Sequence, residues 1–402
     1  QLDHPEWRGK PVIVGGDPAR RGVVSTCSYE ARVFGVRSAM PSAQAARLCP
    51  SAIWTPGNFP RYIALSQKVM QIMRDASPRL QQVSIDEAFL DVSPGRFVKE
   101  HPITLANHIR EEVARWGITC SIGLGISKSV AKVASDMDKP NGLTVVFPGR
   151  EADFLAPLPI RTMSGIGRQT EKRLHGFGIY TLGELAAADD AVLEQAFGKN
   201  AGMMRNRCLG INDSPVVTDD ETKSVSNEMT FSTDLIERTE IEQAVAMLAA
   251  KVGRRLRHKG LAGYTVGLKV RYTDLSIANA QHTLDHPVDD EHEFVPQLFG
   301  LIGQVWQPGT KLRLIGVAVS SFESRPEQLS LFETPAPDAT SPAKGQRRGR
   351  NKRSLIEATD RVKDRFGEGA VSYGREMRFF DRDTGTIAQK KDDYKDPLSS
   401  PP

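Results

Sequence analysis

The sequence predicts an α+β protein of several domains, and three observations carry that reading. Strand-like and helix-like segments mix over residues 1–150, helical patterns alone fill 151–217, and mixed patterns return over 229–322. At 402 residues the chain is long enough for two to four domains. Hydrophobic residues make up 39% and charged residues 25%, which excludes a largely disordered chain and a collagen-like one. No apolar run approaches the ~18 residues that span a bilayer, so no membrane partner is expected. Cys27, Cys49, Cys120 and Cys208 are widely spaced and form no C-x-x-C pair. Reduced thiols and a cytoplasmic location are therefore expected, with no cysteine zinc site.

The elements follow in order. Pro11–Val14 reads as a short buried strand ended by Gly15-Gly16. Tyr62, Leu65, Val69, Ile72, Met73 and Ala76 step by threes and fours, which predicts a helix over 60–76. Residues 83–92 read as strand, turn, strand. Leu105, Ile109, Val113 and Trp116 mark one face of a helix over 103–116. Residues 118–127 alternate apolar and polar, which predicts a half-buried strand. A helix near 128–137 precedes the turn Lys139-Pro-Asn-Gly142 and a strand over 143–147. Short helices fill 151–217, and polar residues 218–228 read as a linker. One long helix near 239–258 and strands near 263–272, 278–284 and 311–321 follow. Beyond residue 333 the chain turns rich in Pro, Ala, Ser and Thr. Six bases and no acid then fall in 344–353, which reads as a mostly disordered basic tail over 334–402, with a short helix at 355–366.

Six features carry chemistry. Asp86 and Glu87 are adjacent carboxylates between apolar neighbours. To act together they must lie where a strand bends, and their repulsion is relieved by a divalent cation. The bland alternative is an exposed hairpin tip with two solvated acids. Tyr29 and Arg32, three apart, share a helix face, and with Thr26 they offer donors to phosphate oxygens. Lys139 is a positive charge placed by a Pro-Asn-Gly turn. Gly165-Ile-Gly167, with Arg168 and Lys172 after it, forms a helix-hairpin-helix pattern suited to a DNA backbone. Residues 223–322 hold 11 basic and 11 acidic residues. They are segregated: Lys251, Arg254, Arg255, Arg257 and Lys259 cluster apart from Asp285, Asp289, Asp290, Glu291 and Glu293. Arg254 and Arg257 then form a basic stripe that fits a phosphate backbone, against the blander reading of a solvated helix face. Last, Gln328-Leu329-Ser-Leu331-Phe332 is an apolar peptide in a polar context, either a docking motif or a final edge strand.

Taken together these residues resemble Y-family DNA polymerases of the DinB type. The resemblance rests on Ser84-Ile-Asp-Glu-Ala-Phe-Leu-Asp91, Tyr29-Glu-Ala-Arg-Val-Phe-Gly-Val-Arg-Ser-Ala-Met-Pro41, Gly125-Ile-Ser-Lys-Ser-Val-Ala-Lys132 and Ala134-Ser-Asp-Met-Asp-Lys-Pro-Asn-Gly142. It runs in order from the start of the chain to Phe332. It implies a right-hand polymerase with palm, fingers, helical thumb and an α+β little finger. The implied division is fingers with part of the palm over 1–60, palm over 61–150, thumb over 151–217, linker over 218–228, little finger over 229–322 and a clamp-binding peptide over 323–333. The implied function is low-fidelity translesion synthesis, adding deoxynucleotides to a primer 3′ end with two Mg²⁺ ions. Asp86 and Glu87 are then the catalytic metal ligands, and Thr26, Tyr29, Arg32 and Lys139 hold the deoxynucleoside triphosphate. Gly165, Gly167, Arg168, Lys172, Arg254 and Arg257 contact primer-template DNA, and Gln328, Leu329, Leu331 and Phe332 bind a bacterial β-type sliding clamp. A monomer is expected.

In that family a strand with a further metal-binding aspartate, and an aromatic pair that excludes ribonucleotides, come before the point where Gln1 stands. Asp3 and Asp91 do not match the missing position, so the chain as given is expected to extend primers poorly. The rival readings are a non-catalytic polymerase-like accessory protein and a DNA-binding module using the helix-hairpin-helix alone. The first gives Asp86, Glu87 and Lys139 no chemical reason to be present, and the second leaves the Ser84–Asp91 and Lys139–Gly142 motifs unexplained.

Overall fold

The fold is described from a computed structural model, which covers residues 1–96, 98–218, 221–322, 344–367, 370–371 and 387–388. The chain divides into two compact units. One comprises Gln1, 6–57 and everything from residue 221 on; the other comprises 2–5 and 58–220.

The first unit opens with β1 (Val12–Gly15), β2 (Val24–Cys27), α1 (Tyr29–Val33), α2 (Ser42–Leu48) and β3 (Ile53–Thr55). The sheet order is β2-β1-β3, with β1 antiparallel to β2 and parallel to β3. Ile13, Val24, Ala31, Val36, Ala45 and Cys49 bury together and hold this small layer.

The second unit contains α3 (Phe59–Ala76), β4 (Leu80–Gln82), β5 (Ala88–Leu90), α4 (Pro102–Ala114), β6 (Ile122–Leu124), α5 (Lys128–Ser135) and β7 (Leu143–Val145). Five short helices follow: α6 (Glu151–Leu155), α7 (Arg168–His175), α8 (Leu182–Ala187), α9 (Asp190–Phe197) and α10 (Ala201–Cys208). The helix expected over 60–76 is present within one residue. Its sequel differs: the strand expected over 118–127 shrinks to three residues paired in parallel with β7. Ile126 is 63% exposed and Ser127 is buried as the N-cap of α5, so alternation there follows capping rather than a pleat. Trp116 falls beyond α4 and is exposed, its ring covered by the Lys68 ammonium at 3.6 Å. Val130, Val133 and Ala134 of α5 share one core with Leu155, Ile160, Leu174, Leu182 and Leu193, so the expected boundary near 150 lies inside continuous packing.

The chain then re-enters the first unit with β8 (Ser224–Leu235), α11 (Arg238–His258), β9 (Gly263–Tyr272), β10 (Ile277–Val288), α12 (Glu291–Val305), β11 (Leu312–Ser320), α13 (Lys344–Phe366) and β12 (Ile387–Ala388). The antiparallel sheet has the order β10-β9-β11-β8-β12. α11 packs on α12, β8 and β11, burying Ile241, Val245, Leu248, Val252 and Leu256 at helical spacing.

Two expectations are corrected here. The linker expected over 218–228 is strand from Ser224, and its polar residues Ser226 and Asn227 are buried in the sheet, where polarity hid the strand pattern. The basic run 344–353, expected to be disordered, is instead the first part of α13, which extends the helix expected over 355–366; Ile356 is buried, and Asp360 and Asp364 find arginine partners on α11. Gln328, Leu329, Leu331 and Phe332 lie outside the described residues. Among the described residues no helix is long and apolar enough to cross a membrane.

Candidate nucleotide and metal site

Asp86 and Glu87 occupy the bend between β4 and β5. The amides of Val83 and Ser84 both donate to the Glu87 carbonyl, which closes the hairpin and puts the two acids at its tip. The Ser84 hydroxyl donates to Asp86 Oδ1 at 2.5 Å. Despite their apolar neighbours both acids are exposed, as the alternative of a solvated hairpin tip describes, because this sheet has only two strands among the described residues and the tip extends past them. Exposure also makes them available. Two hard carboxylate oxygens with open coordination sites fit a cation such as Mg²⁺, which keeps water or phosphate among its ligands. Asp91, five residues on, is engaged elsewhere. Hydrogen bonds from Ser93 and Arg79 hold its carboxyl below the usual range.

A chain of alternating charges leads away from Glu87. Lys132 Nζ donates to Glu87 Oε1 at 2.5 Å and lies 3.8 Å from Asp136 Oδ2; Lys139 Nζ lies 2.6 Å from Asp136 Oδ1. Burial pulls the Lys132 ammonium down, but the Glu87 hydrogen bond and the charges of Glu87, Asp136 and Asp86 outweigh it, and its pKa rises. The turn carrying Lys139 depends on its glycine: a Cβ on Gly142 would lie 1.9 Å from the Asp138 carbonyl oxygen. Lys132 and Asp136 are the residues that sequence reasoning passed over. Their signal was the i, i+4 spacing at the end of α5.

In the other unit, Ser28 caps α1 by accepting from the Ala31 amide, and this presents Tyr29 and Arg32 together. The Arg32 guanidinium sits 5.8 Å from the centre of the Tyr29 ring, so the i, i+3 spacing does place both on one face. Tyr29 is 52% exposed and Thr26, on β2, is exposed.

Gly165 adopts φ +99° and Gly167 precedes α7, whose start has no side-chain cap. Both glycines, Arg168 and Lys172 are exposed around the buried Ile166. An exposed helix start without a side-chain cap is what a phosphate-binding turn requires.

Arg254 and Arg257 do not form the expected open stripe. The Arg257 side chain is 7% exposed, with Glu291 at 2.6 Å, Asp360 at 2.6 Å and the Asp289 carbonyl at 2.9 Å. Arg254 pairs with Asp364 at 2.6 Å. The segregated charges of the sequence meet in the fold and neutralise one another, which removes these two arginines from the DNA-binding set. Among the described residues one group of three has metal-ligand spacing, Asp290, Glu291 and His292. Glu291 there belongs to Arg257 and Asp290 accepts from the His292 backbone.

Family models agree with the order of these motifs. The impB/mucB/samB family matches residues 1–136, its C-terminal domain matches 222–331 and the IMS family HHH motif matches 148–179. DNA polymerase IV of Dehalococcoides mccartyi is 37% identical over 383 residues, 95% of each chain. DNA polymerase IV of Streptomyces coelicolor is 40% identical over 348 residues, 85% of this chain and 72% of its own. A solved Y-family DNA polymerase chimera of Dbh and Dpo4 superposes with TM-score 0.71 at 27% identity, covering 80% of this chain and 95% of its own. The chain belongs to the Y-family DNA polymerases. It is a DNA-directed DNA polymerase of the translesion type, with the palm, fingers, thumb and little finger of that family. An insertion ternary complex of Dbh DNA polymerase also matches, with TM-score 0.57 at 26% identity over 80% of this chain and 94% of its own. Within this Y-family chain the N-terminal family match contains Thr26, Tyr29, Arg32, Asp86, Glu87 and Lys132, and the HHH match contains Gly165, Gly167, Arg168 and Lys172. The C-terminal match ends before α13, so that helix is an addition to the matched domain.

Proposed function

We propose that this polymerase joins a deoxynucleotide to a primer 3′ end with Asp86 and Glu87 as ligands of two Mg²⁺ ions. The observation that carries the reading is the exposed, hairpin-closed Asp86–Glu87 bend with Lys132, Asp136 and Lys139 aligned beside it. When bound, the metal ions supply activation of the primer 3′ oxygen and charge stabilisation on the triphosphate and its pyrophosphate product. The protein residues orient and neutralise. Ser84 holds Asp86 by a hydrogen bond, leaving its other oxygen to face a ligand. Lys139, Arg32, Tyr29 and Thr26 donate to triphosphate oxygens, with Arg32 and Lys139 adding positive charge. The amides near Gly165 and Gly167, with Arg168 and Lys172, contact a DNA phosphate backbone without reading sequence. Gln328–Phe332 serves as the peptide for the bacterial β-type sliding clamp, Leu331 and Phe332 filling an apolar pocket. The working form is a monomer in the cytoplasm, acting on primer-template DNA.

Primer extension with purified protein, Mg²⁺ and dNTPs tests the assignment. Asp86→Ala is expected to lower the rate by about three decades, the equivalent of several kcal/mol of metal-supplied stabilisation. Affinity for primer-template DNA should stay within about twofold, since the phosphate contacts are made elsewhere. An Asp86→Ala protein that still extends primers at the wild-type rate refutes the metal assignment.

A further inference from the structure

Lys132 is held more firmly than the charges around it. Its side chain is 27% exposed, against 45% for Glu87, 43% for Asp136 and 45% for Lys139. α5, which carries it, buries Val130, Val133 and Ala134 on the opposite face. That helix lies so close to β6 that a Cβ on Gly123 would come within 2.0 Å of the Ala131 carbonyl oxygen. The ammonium therefore projects from a fixed support toward a carboxylate on a two-stranded hairpin. The last turn of a helix is also where a cation is electrostatically favoured. Glu87 Oε1 is fixed by this contact at 2.5 Å.

We propose that Lys132 is a positioning residue: it orients Glu87 and occupies the place of positive charge beside Asp86 and Glu87 until a divalent cation binds. The inference rests on the assignment of those two acids as metal ligands. Adjacent carboxylates repel, and in the metal-free protein a neighbouring cation is what offsets that repulsion. Arrival of a metal ion puts two like charges close together, so Lys132 opposes metal binding while preparing the geometry that the metal uses. Asp136, which lies 3.8 Å from the Lys132 ammonium and 2.6 Å from that of Lys139, takes up the Lys132 ammonium as its bond to Glu87 loosens. Removing the ammonium should therefore have two opposite effects, tighter metal binding and slower catalysis.

The experiment uses the full chain and Mn²⁺ as probe, measured by electron paramagnetic resonance without nucleotide or DNA. Wild type, Lys132→Met, Lys132→Arg and Asp86→Ala are compared, with circular dichroism to confirm folding. Lys132→Met is expected to bind Mn²⁺ about fivefold more tightly, the size of a lost exposed ion-pair contribution. Its kcat should fall about 10- to 100-fold, as for other residues that orient a metal ligand, with KM for dNTP within about twofold. Lys132→Arg, which keeps the charge, should return both values to within about threefold of wild type. Unchanged Mn²⁺ affinity in a folded Lys132→Met protein overturns the proposal, whatever happens to kcat. Mn²⁺ binding that survives in Asp86→Ala, or is missing from wild type, instead removes the metal-site reading on which the proposal stands.

Discussion

The Glu87–Lys132–Asp136–Lys139 chain and the Glu291–Arg257–Asp360 triad are built from the same side-chain chemistry. Solvent separates them. In the first, three of the four side chains are more than 40% exposed. In the triad, exposure is 7% for Arg257, 9% for Glu291 and 13% for Asp360. Exposed ions are screened by water, exchange partners at little cost and stay available to a ligand. Buried ions have lost hydration and are locked to the partners that replace it. The difference teaches that a run of charge in a sequence is functional or structural according to where its counter-charges sit. Arg254 and Arg257 resembled a DNA-facing stripe, and they are the anchor for α13.

Breaking the triad should have the largest effect on stability. Arg257→Ala leaves Glu291 and Asp360 buried without their partner, and the unit that holds them should lose about 3–5 kcal/mol in urea unfolding. Replacing all three together (Arg257→Met, Glu291→Leu, Asp360→Leu) should recover most of that loss, because no charge is then stranded. If the single substitution costs no more than Lys132→Met, the contrast between the sealed and open clusters fails.

A pair of intermediate exposure gives an intermediate expectation. Arg21 donates to Asp234 at 2.5 Å and to the Phe231 carbonyl at 3.0 Å, and Thr273 donates to the other Asp234 oxygen at 2.8 Å. Burial pushes the Asp234 carboxyl up, but these hydrogen bonds and the charges of Arg21 and Arg313 outweigh it and hold the pKa below 3.8. Arg21→Ala should cost about 1–2 kcal/mol at pH 7. A carboxylate with a lowered folded pKa stabilises above its unfolded pKa and loses that contribution as pH falls toward the folded value. The gap between wild type and Arg21→Ala should therefore close below about pH 4. A gap that does not narrow at all as pH falls below about 4 would show that packing, not charge, is what the arginine contributes.

The smallest effect concerns the thiols, which carry no counter-charge of this kind. Cys27, Cys49, Cys120 and Cys208 are free. Burial pushes the Cys208 thiol up to about 12, with Arg207 opposing the rise. At pH 8 iodoacetamide should leave Cys208 unmodified in the folded protein and label it in urea, as read by peptide mass. Rapid labelling of the folded protein would contradict its burial.

Much of the site was legible in the amino-acid order because its parts are local. Asp86 and Glu87 fall in a bend, Tyr29 and Arg32 share a helical turn, and Gly142 closes the turn that carries Lys139. Each depends on neighbours within a few residues, where side-chain periodicity and turn chemistry operate. The long elements α3, α11 and β9 were legible for the same reason, since their patterns repeat over many residues.

What the order of residues could not decide was which distant groups would meet. Lys132 reaches Glu87 across 45 positions, and Arg257 reaches Asp360 across 103. The strand at Ser224 was hidden because Ser226 and Asn227 are polar yet buried. Sequence determined the chemical groups and their local presentation; tertiary structure decided their exposure and their partners. Coulomb energy and desolvation depend on three-dimensional distance and on access to water, and neither is written in the spacing of residues along a chain.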